Sequence, residues 1–423
     1  MRDTIVPAEY SPGRHAGLTP FQKTVRRAML RRLERIEHGT LVIEDGGGRH
    51  HFGGRDRAGP AATVTVADPR FWVDVAFGGS TGAGESYMRG HWRCDDLTAA
   101  VRILVLNREV LTSLDDGAGW ATQPLYRIVH WLQRNSRIGS RRNIAAHYDL
   151  GNDFFQLFLD PTLNYSCGIF PREDASMEEA SLTKMDAICR KLDLSPRDHL
   201  LEVGTGWGGL AIHAASRYGC RVTTTTISRR QHELATARVA EAGLRDRVTL
   251  LLEDYRDLEG CFDKLVSIEM IEAVGHQYLD TYFAKCSSLL KPDGAMLLQA
   301  ITIRDQLYAQ AVKSVDFIKR YIFPGGFIPS VNAISESLTR ATDMRLFHLQ
   351  DIGPHYATTL RKWRERFFEN IAEIRDLGYP ESFVRMWEFY LCYCEGAFTE
   401  RNIGDVQMLI TKPANRRDTL GYA

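Results

Sequence analysis

Between residues 198 and 303 short apolar runs alternate with helical stretches, and the first run ends in glycine. DHLLEVG (198–204), RVTTTTIS (221–228), VTLLLEDY (248–255), KLVSIEM (264–270) and AMLLQAITI (295–303) have the Val, Ile, Leu and Thr content of strands buried on both faces. WGGLAIHAASRYG (207–219) and SRRQHELATARVAEAG (228–243) lie between them as helices that stop at glycine. Strand and helix in strict alternation specify a parallel, doubly wound α/β sheet. DVQMLITKP (405–413) reads as a closing edge strand, and no internal repeat is present.

The chain before this region has a different texture. KTVRRAMLRRLERI (23–36) places Val25, Met29, Leu33 and Ile36 at helical spacing among six basic residues. That is either a solvated helix face or a contact with an anionic membrane surface. TLVIED and ATVTVAD read as short strands separated by a glycine-rich loop, GGGRHHFGG, which carries His50 and His51 as surface histidines. A helix-rich stretch from Leu97 to Arg134 runs into the basic, polar RNSRIGSRRN. The organisation expected is a small α+β domain at 1–133, a linker at 134–146 and a catalytic domain at 147–423.

Composition removes several classes. Lys+Arg and Asp+Glu are both 53, so the general basic field of a nucleic-acid-binding protein is missing. No apolar run reaches the ~18 residues of a membrane-spanning helix, and the N-terminus lacks the core of a signal peptide. A cytoplasmic protein with peripheral membrane contact is expected. Eight cysteines in 423 residues are too few for a disulfide scaffold and read as reduced thiols. Cys392 and Cys394 lack a partner pair at zinc spacing, so no metal site is expected.

The strongest local motif is Glu202-Val203-Gly204-Thr205-Gly206-Trp207-Gly208. Glycines at a strand-to-helix turn let a ligand approach the backbone closely. The spacing G-x-G-x-G is not the G-x-G-x-x-G of a dinucleotide fingerprint, and no Lys-Ser/Thr pair follows as in a P-loop. Both points favour an adenosyl cofactor without phosphates, S-adenosylmethionine. Glu202 either binds its ammonium or is a helix-dipole or surface charge. The second strand ends in Thr226 rather than an acidic residue, which leaves Gln231 to bond the ribose. Asp254 and Tyr255, after the third strand, are placed to accept from and stack on adenine.

Seven segments then converge: HYDLGNDFFQLFLDPTLNYSCGIF (147–170), LLEVGTGWGG (200–209), TISRRQ (226–231), VSIEMIEAVGH (266–276), YIFPGGFIPS (321–330), HYATTLRKW (355–363) and YCEGAF (393–398). Together they resemble the cyclopropane-fatty-acyl-phospholipid synthases over about 140–412. The N-terminal region is similar to the extra domain of the bacterial enzymes, with weaker motifs. The resemblance implies a seven-stranded methyltransferase sheet with helical lipid-pocket insertions, acting on unsaturated phospholipid in a bilayer, and a homodimer. It implies that Tyr165, Ser166, Glu202, Gly204, Gly206, Gly208, Thr226, Gln231, Asp254 and Tyr255 meet S-adenosylmethionine. It further implies that Cys167, Glu272, Tyr356 and the backbone of Ile301 surround a bound bicarbonate, and that Cys394 matters for activity. Gln299 stands where many members have histidine; its amide donates to an anion but cannot titrate.

The chemistry explains such a site. An alkene is a weak nucleophile, so a sulfonium methyl must be held in line with it. Methyl transfer leaves a carbocation that water would trap, so the site must be dry. A base then removes a proton from the new methyl and the ring closes. Bicarbonate oriented by Glu272 and Tyr356 is the expected base, with Glu272 itself as the alternative. Aromatic faces stabilise cations, and Tyr282, Tyr308, Phe317, Tyr321, Phe323 and Tyr393 are candidates. Insertions at about 303–333 and 355–403 are expected to line the lipid pocket. Cys167 and Cys394 have no His partner in sequence and read as pocket lining, not nucleophiles. His147 and His276 read as structural. Competing readings are a related enzyme giving a methylene or branched product or methylating small amines, and a non-catalytic lipid-binding protein.

Overall fold

A computed structural model of the chain describes residues 18–54, 58–115 and 150–418. The expected linker at 134–146 and His147 lie outside them. The described residues form two compact units that do not follow chain order. One gathers residues 18–54, 58–115, 313–324 and 363–402; the other gathers 150–312, 325–362 and 403–418.

The first unit is built on a four-stranded sheet of order β2-β1-β3-β4, from β1 (Thr40–Asp45), β2 (Gly48–Gly53), β3 (Ala61–Val66) and β4 (Trp92–Cys94). β1 supplies Leu41, Val42 and Ile43 to the core. The stretch expected to be a glycine-rich loop is β2, paired antiparallel to β1 in a tight hairpin. Its glycines sit at the strand ends, and backbone pairing overrides its weak strand propensity. His50 is drawn to 2.7 Å from Arg26, whose guanidinium binds both oxygens of Asp45.

The helix expected at 23–36 spans Pro20–Leu33, begun by a capping box between Thr19 and Gln22. Met29, Leu33 and Ile36 are buried, and Lys23, Arg27, Arg31 and Arg35 are exposed at every fourth position. The segments expected to be lipid-pocket insertions pack largely into this unit. Tyr87 donates to Glu388 at 2.7 Å, Tyr321 donates to Glu85 at 3.0 Å, and the rings of Phe317 and Phe389 lie 4.7 Å apart. Phe317 is fully buried, so at least that candidate is a core residue.

The second unit holds a seven-stranded sheet of order β10-β11-β9-β8-β5-β6-β7. Its strands are β5 (His199–Val203), β6 (Arg221–Thr225), β7 (Val248–Leu251), β8 (Phe262–Ile268), β9 (Leu290–Ile303), β10 (Arg345–Asp351) and β11 (Ile403–Thr411). β5 to β9 pair in parallel, and β11 runs antiparallel to β9 and β10. Leu200, Leu201, Leu265, Val266, Leu297 and Leu298 have no exposed surface, as central parallel strands require.

β11 is an interior strand, not the edge expected. The edge is β10, RLFHLQD, most of whose residues are exposed. Such a strand has no buried run to betray it in sequence, which is why only its pairing reveals it. Chain order reverses between β5 and β8, so the loops after those strands diverge there. In open α/β sheets ligands bind at that crevice. Among the described residues no helix is long and apolar enough to cross a membrane.

Candidate active site

The loop after β5 has the turn that the glycine spacing demands. Gly204 has φ +104°, and its N–H and that of Thr205 donate to the carbonyl of Thr225. Gly206 has φ +53°, and a Cβ there would meet nothing within 4 Å, so its backbone faces open space. Gly208 caps the helix that follows. This is a turn a ligand can approach closely, and it fits S-adenosylmethionine. Glu202 is buried rather than a surface charge, and accepts from the Thr224 hydroxyl at 2.6 Å. Burial pushes its carboxyl up to about 8, opposed by the Thr224 hydrogen bond and the Lys184 charge. A buried carboxyl of this kind is poised to ionise when a cation arrives beside it.

The remaining cofactor candidates are in the same unit. The Thr226 hydroxyl donates to Gln231 Oε1 at 2.9 Å, and both residues are buried. Asp254 is held by Arg256, with Nε to Oδ1 at 2.8 Å and Nη2 to Oδ2 at 2.6 Å. The Arg256 guanidinium also lies 5.5 Å over the Tyr255 ring, which meets Tyr282 edge to face. Tyr165 packs against Phe155 at 5.3 Å, and Ser166 accepts from the buried Lys184 ammonium at 2.8 Å.

The loop after β8 carries the acid chemistry. Glu269 directly follows the strand and has a left-handed backbone, φ +47°. Its Oε1 accepts from the Cys167 N–H at 2.8 Å and from Gln299 Nε2 at 2.8 Å; its Oε2 accepts from the Tyr356 hydroxyl at 2.6 Å. Gln299 Nε2 also donates to Asp405 at 3.1 Å, and Gln299 Oε1 accepts from Gln407 at 2.9 Å. Glu272 Oε1 accepts from the Ile301 N–H at 2.6 Å, while its Oε2 is buried without a partner.

Three carboxyls and one ammonium therefore share a dry interior. Burial raises Glu269, against the hydrogen bonds from Tyr356 and Cys167 and the Lys184 charge. Burial and the neighbouring Glu269 push Glu272 up to about 8. Asp405 is raised well above the carboxylate range, by burial first and then by Glu269 and Glu272. Burial lowers Lys184, against the pull of Glu269. Burial likewise raises the Cys167 thiol, which keeps it neutral and a poor nucleophile.

The structure thus brings Cys167, Glu272, Gln299, Ile301 and Tyr356 together. Cys394 is in the first unit, its thiol raised by burial. All eight cysteines are free. The groups expected to hold bicarbonate do not fit a free ion: Cys167, Gln299 and Tyr356 already donate to Glu269, and Ile301 donates to Glu272.

Glu269, Asp405 and Lys184 were missed from sequence. Glu269 is the first glutamate of SIEMIEA, at the carboxyl end of a parallel strand where ligand groups gather. Lys184 interrupts the buried stripe of helix Met177–Leu192 between Ser181 and Ile188. A cation in such a stripe needs buried partners, which is a readable signal. Asp405 alternates with Val406 in an apolar strand and gives only a weak one.

Comparison with known proteins places the fold and the family. The model of the mycolic acid cyclopropane synthetase family matches residues 135–408. The chain is 40% identical over 338 residues to tuberculostearic acid methyltransferase UfaA1 of Mycobacterium tuberculosis, covering 76% of each chain. It is 39% identical over 354 residues to the cyclopropane-fatty-acyl-phospholipid synthase of Escherichia coli, covering 83% of this chain and 88% of that one. Among solved structures, mycolic acid cyclopropane synthase CmaA1 complexed with SAH and CTAB superposes with a TM-score of 0.60 at 33% identity, covering 64% of this chain and 98% of the other.

Proposed function

Because the chain belongs to the mycolic acid cyclopropane synthetase family of S-adenosylmethionine-dependent methyltransferases, we propose that it alkylates a cis double bond in an unsaturated phospholipid acyl chain and closes a cyclopropane ring. The observation that carries this reading is a buried acid cluster beside an open glycine turn at the sheet's switch point. S-adenosylmethionine supplies an electrophilic methyl group. The turn from Gly204 to Gly208 and Glu202 hold its amino-acid end; Tyr165, Ser166, Thr226, Gln231, Asp254 and Tyr255 complete its surroundings.

The rest of the site supports a cationic reaction. Cys167, Gln299 and Asp405 have no exposed surface and Tyr356 has 5%, so the base of the acid cluster is kept from water, with Glu269 and Glu272 half-buried above it. A carboxyl in that cluster takes the proton that ring closure releases. Glu272 meets the reacting atoms through its unpartnered oxygen. No part of this sequence of events requires bicarbonate. The line of exposed Lys23, Arg27, Arg31 and Arg35, next to Phe21, supports peripheral contact of residues 1–133 with an anionic bilayer. The unit of residues 150–312, 325–362 and 403–418 then carries the catalytic chemistry.

A second reading is favoured by the similarity to a tuberculostearic acid methyltransferase: the product is a methylene branch, which becomes a methyl branch only when a separate hydride donor reduces it. Incubation with unsaturated phospholipid vesicles and labelled S-adenosylmethionine, followed by lipid mass spectrometry and proton NMR, decides. Gain of CH₂ with ring protons supports cyclopropanation; gain of CH₂ with vinyl protons supports the branch. Glu272→Gln is expected to abolish product while cofactor binding survives. Normal turnover by that variant removes Glu272 from the reaction.

A further inference from the structure

The donors implied to cradle a free anion already bind one, and it is part of the chain. Glu269 accepts from the Cys167 N–H, the Gln299 amide and the Tyr356 hydroxyl, at 2.8, 2.8 and 2.6 Å. These are three of the groups the motifs assign to bicarbonate. A carboxylate has the same planar O–C–O edge as bicarbonate and presents the same acceptors. The Gln299 amide has its two bonds, to Glu269 and Asp405, and neither is left for a further anion. Its carbonyl is also engaged, by Gln407.

The backbone at Glu269 shows that this seat is built. Its φ of +47° is rare for a residue with a Cβ. The conformation is held by the Glu269 N–H, which donates to the carbonyl of Gln299 on β9 at 2.8 Å. Local strain of this sort persists where the surroundings over-determine it, and it clusters at functional sites.

We propose that the Glu269 carboxylate replaces bicarbonate and is itself the base of the alkylation, making this enzyme independent of dissolved CO₂. This rests on the lipid-alkylation reading above. Of the three buried carboxyls, Glu269 is the one equipped to carry the charge. Both of its oxygens accept hydrogen bonds, from the Cys167 N–H, the Gln299 amide and the Tyr356 hydroxyl, whereas Glu272 Oε2 and Asp405 Oδ1 are buried without a partner. Hydrogen bonds to the ionised form favour it, and close carboxylates disfavour a second charge. Lys184 supplies the balancing cation.

The step balances. Transfer breaks the sulfonium S–C bond and forms a C–C bond to the alkene, leaving positive charge on the neighbouring carbon. A C–H bond of the new methyl then breaks. Its electron pair closes the ring, its proton goes to a Glu269 oxygen, and that proton leaves to solvent before the next cycle.

The test compares wild type and Glu269→Gly in buffer stripped of CO₂ and in the same buffer with millimolar bicarbonate. Substrate is unsaturated phospholipid vesicles; product is read by mass spectrometry and cofactor binding by calorimetry. Glycine is chosen because it accepts the left-handed backbone and vacates the seat. Wild type is expected to turn over equally in both buffers. The variant is expected to bind cofactor, lose about 10²-fold or more in stripped buffer, and recover at least about tenfold with bicarbonate. A merely structural glutamate would show no such rescue. The proposal is overturned if wild type needs bicarbonate, if the variant keeps its rate without it, or if the cofactor-binding variant is not rescued. A wild-type protein that alkylates no lipid in either buffer refutes the function on which the proposal stands, a result distinct from the other three.

Discussion

Glu272→Gln tests the electrostatics of the site apart from its chemistry. Glu272 is half-buried, its Oε1 bonded to the Ile301 N–H and its Oε2 out of reach of solvent and without a partner. Burial lifts it from its ordinary 4.5 to about 8. A carboxyl raised in this way makes the native state hold a proton that the unfolded chain has released. Stability on this account is full below 4.5 and falls as pH rises towards 8, because ionising the native protein is costly. With these two values the cost is about 1 kcal/mol at pH 5, about 3 at pH 7 and about 4 at pH 8. Glutamine keeps the size and the Oε1 acceptor but cannot ionise, so the variant escapes that cost. Its stability relative to wild type is expected to rise by about 2 kcal/mol between pH 5 and pH 7. Urea unfolding of both proteins at pH 5, 6, 7 and 8, without cofactor, followed by tryptophan fluorescence, measures the difference. A difference that stays flat across this range means that Glu272 titrates normally and that the dry-site reasoning is wrong.

Three further outcomes follow from the same structure. Lys184→Met removes a buried cation among Glu269 and Asp405, and is expected to lower stability by about 3 kcal/mol, read by urea unfolding at pH 7. Gly206→Val adds a Cβ that meets no protein atom but sits where the cofactor approaches; calorimetric affinity for S-adenosylmethionine should drop about tenfold or more while the fold tolerates a strain of about 1–2 kcal/mol. Tyr356→Phe leaves Glu269 Oε2 without its hydroxyl donor, and initial-rate kinetics should show kcat falling about tenfold or more with cofactor affinity unchanged.

Some of this protein is written in short stretches of chain, and those stretches can be read without a structure. The glycine turn after LLEV, the runs that become β5 to β9, and the helix that carries Val25, Met29 and Leu33 each depend on neighbours a few residues away. Glu272 and Tyr356 are legible because motifs carry them. β10 is not, because an exposed edge strand needs no apolar pattern. Nor is β2, whose glycines and histidines look like a loop until β1 pairs with them.

The seat of the anion is the clearest case of something only folding decides. Cys167 and Tyr356 stand 102 and 87 residues from Glu269, and Gln299 stands 106 from Asp405. No local rule relates such distances. Strand order does: with β8 between β5 and β9, and β11 beside β9, the residues at or just beyond their ends meet. Their meeting in a dry interior turns an unremarkable glutamate into the partner of three donors. The grouping of 313–324 and 363–402 with the N-terminal segment is decided in the same way. Local preference chooses the elements; burial of polar groups, which must all find partners away from water, chooses which distant residues face one another.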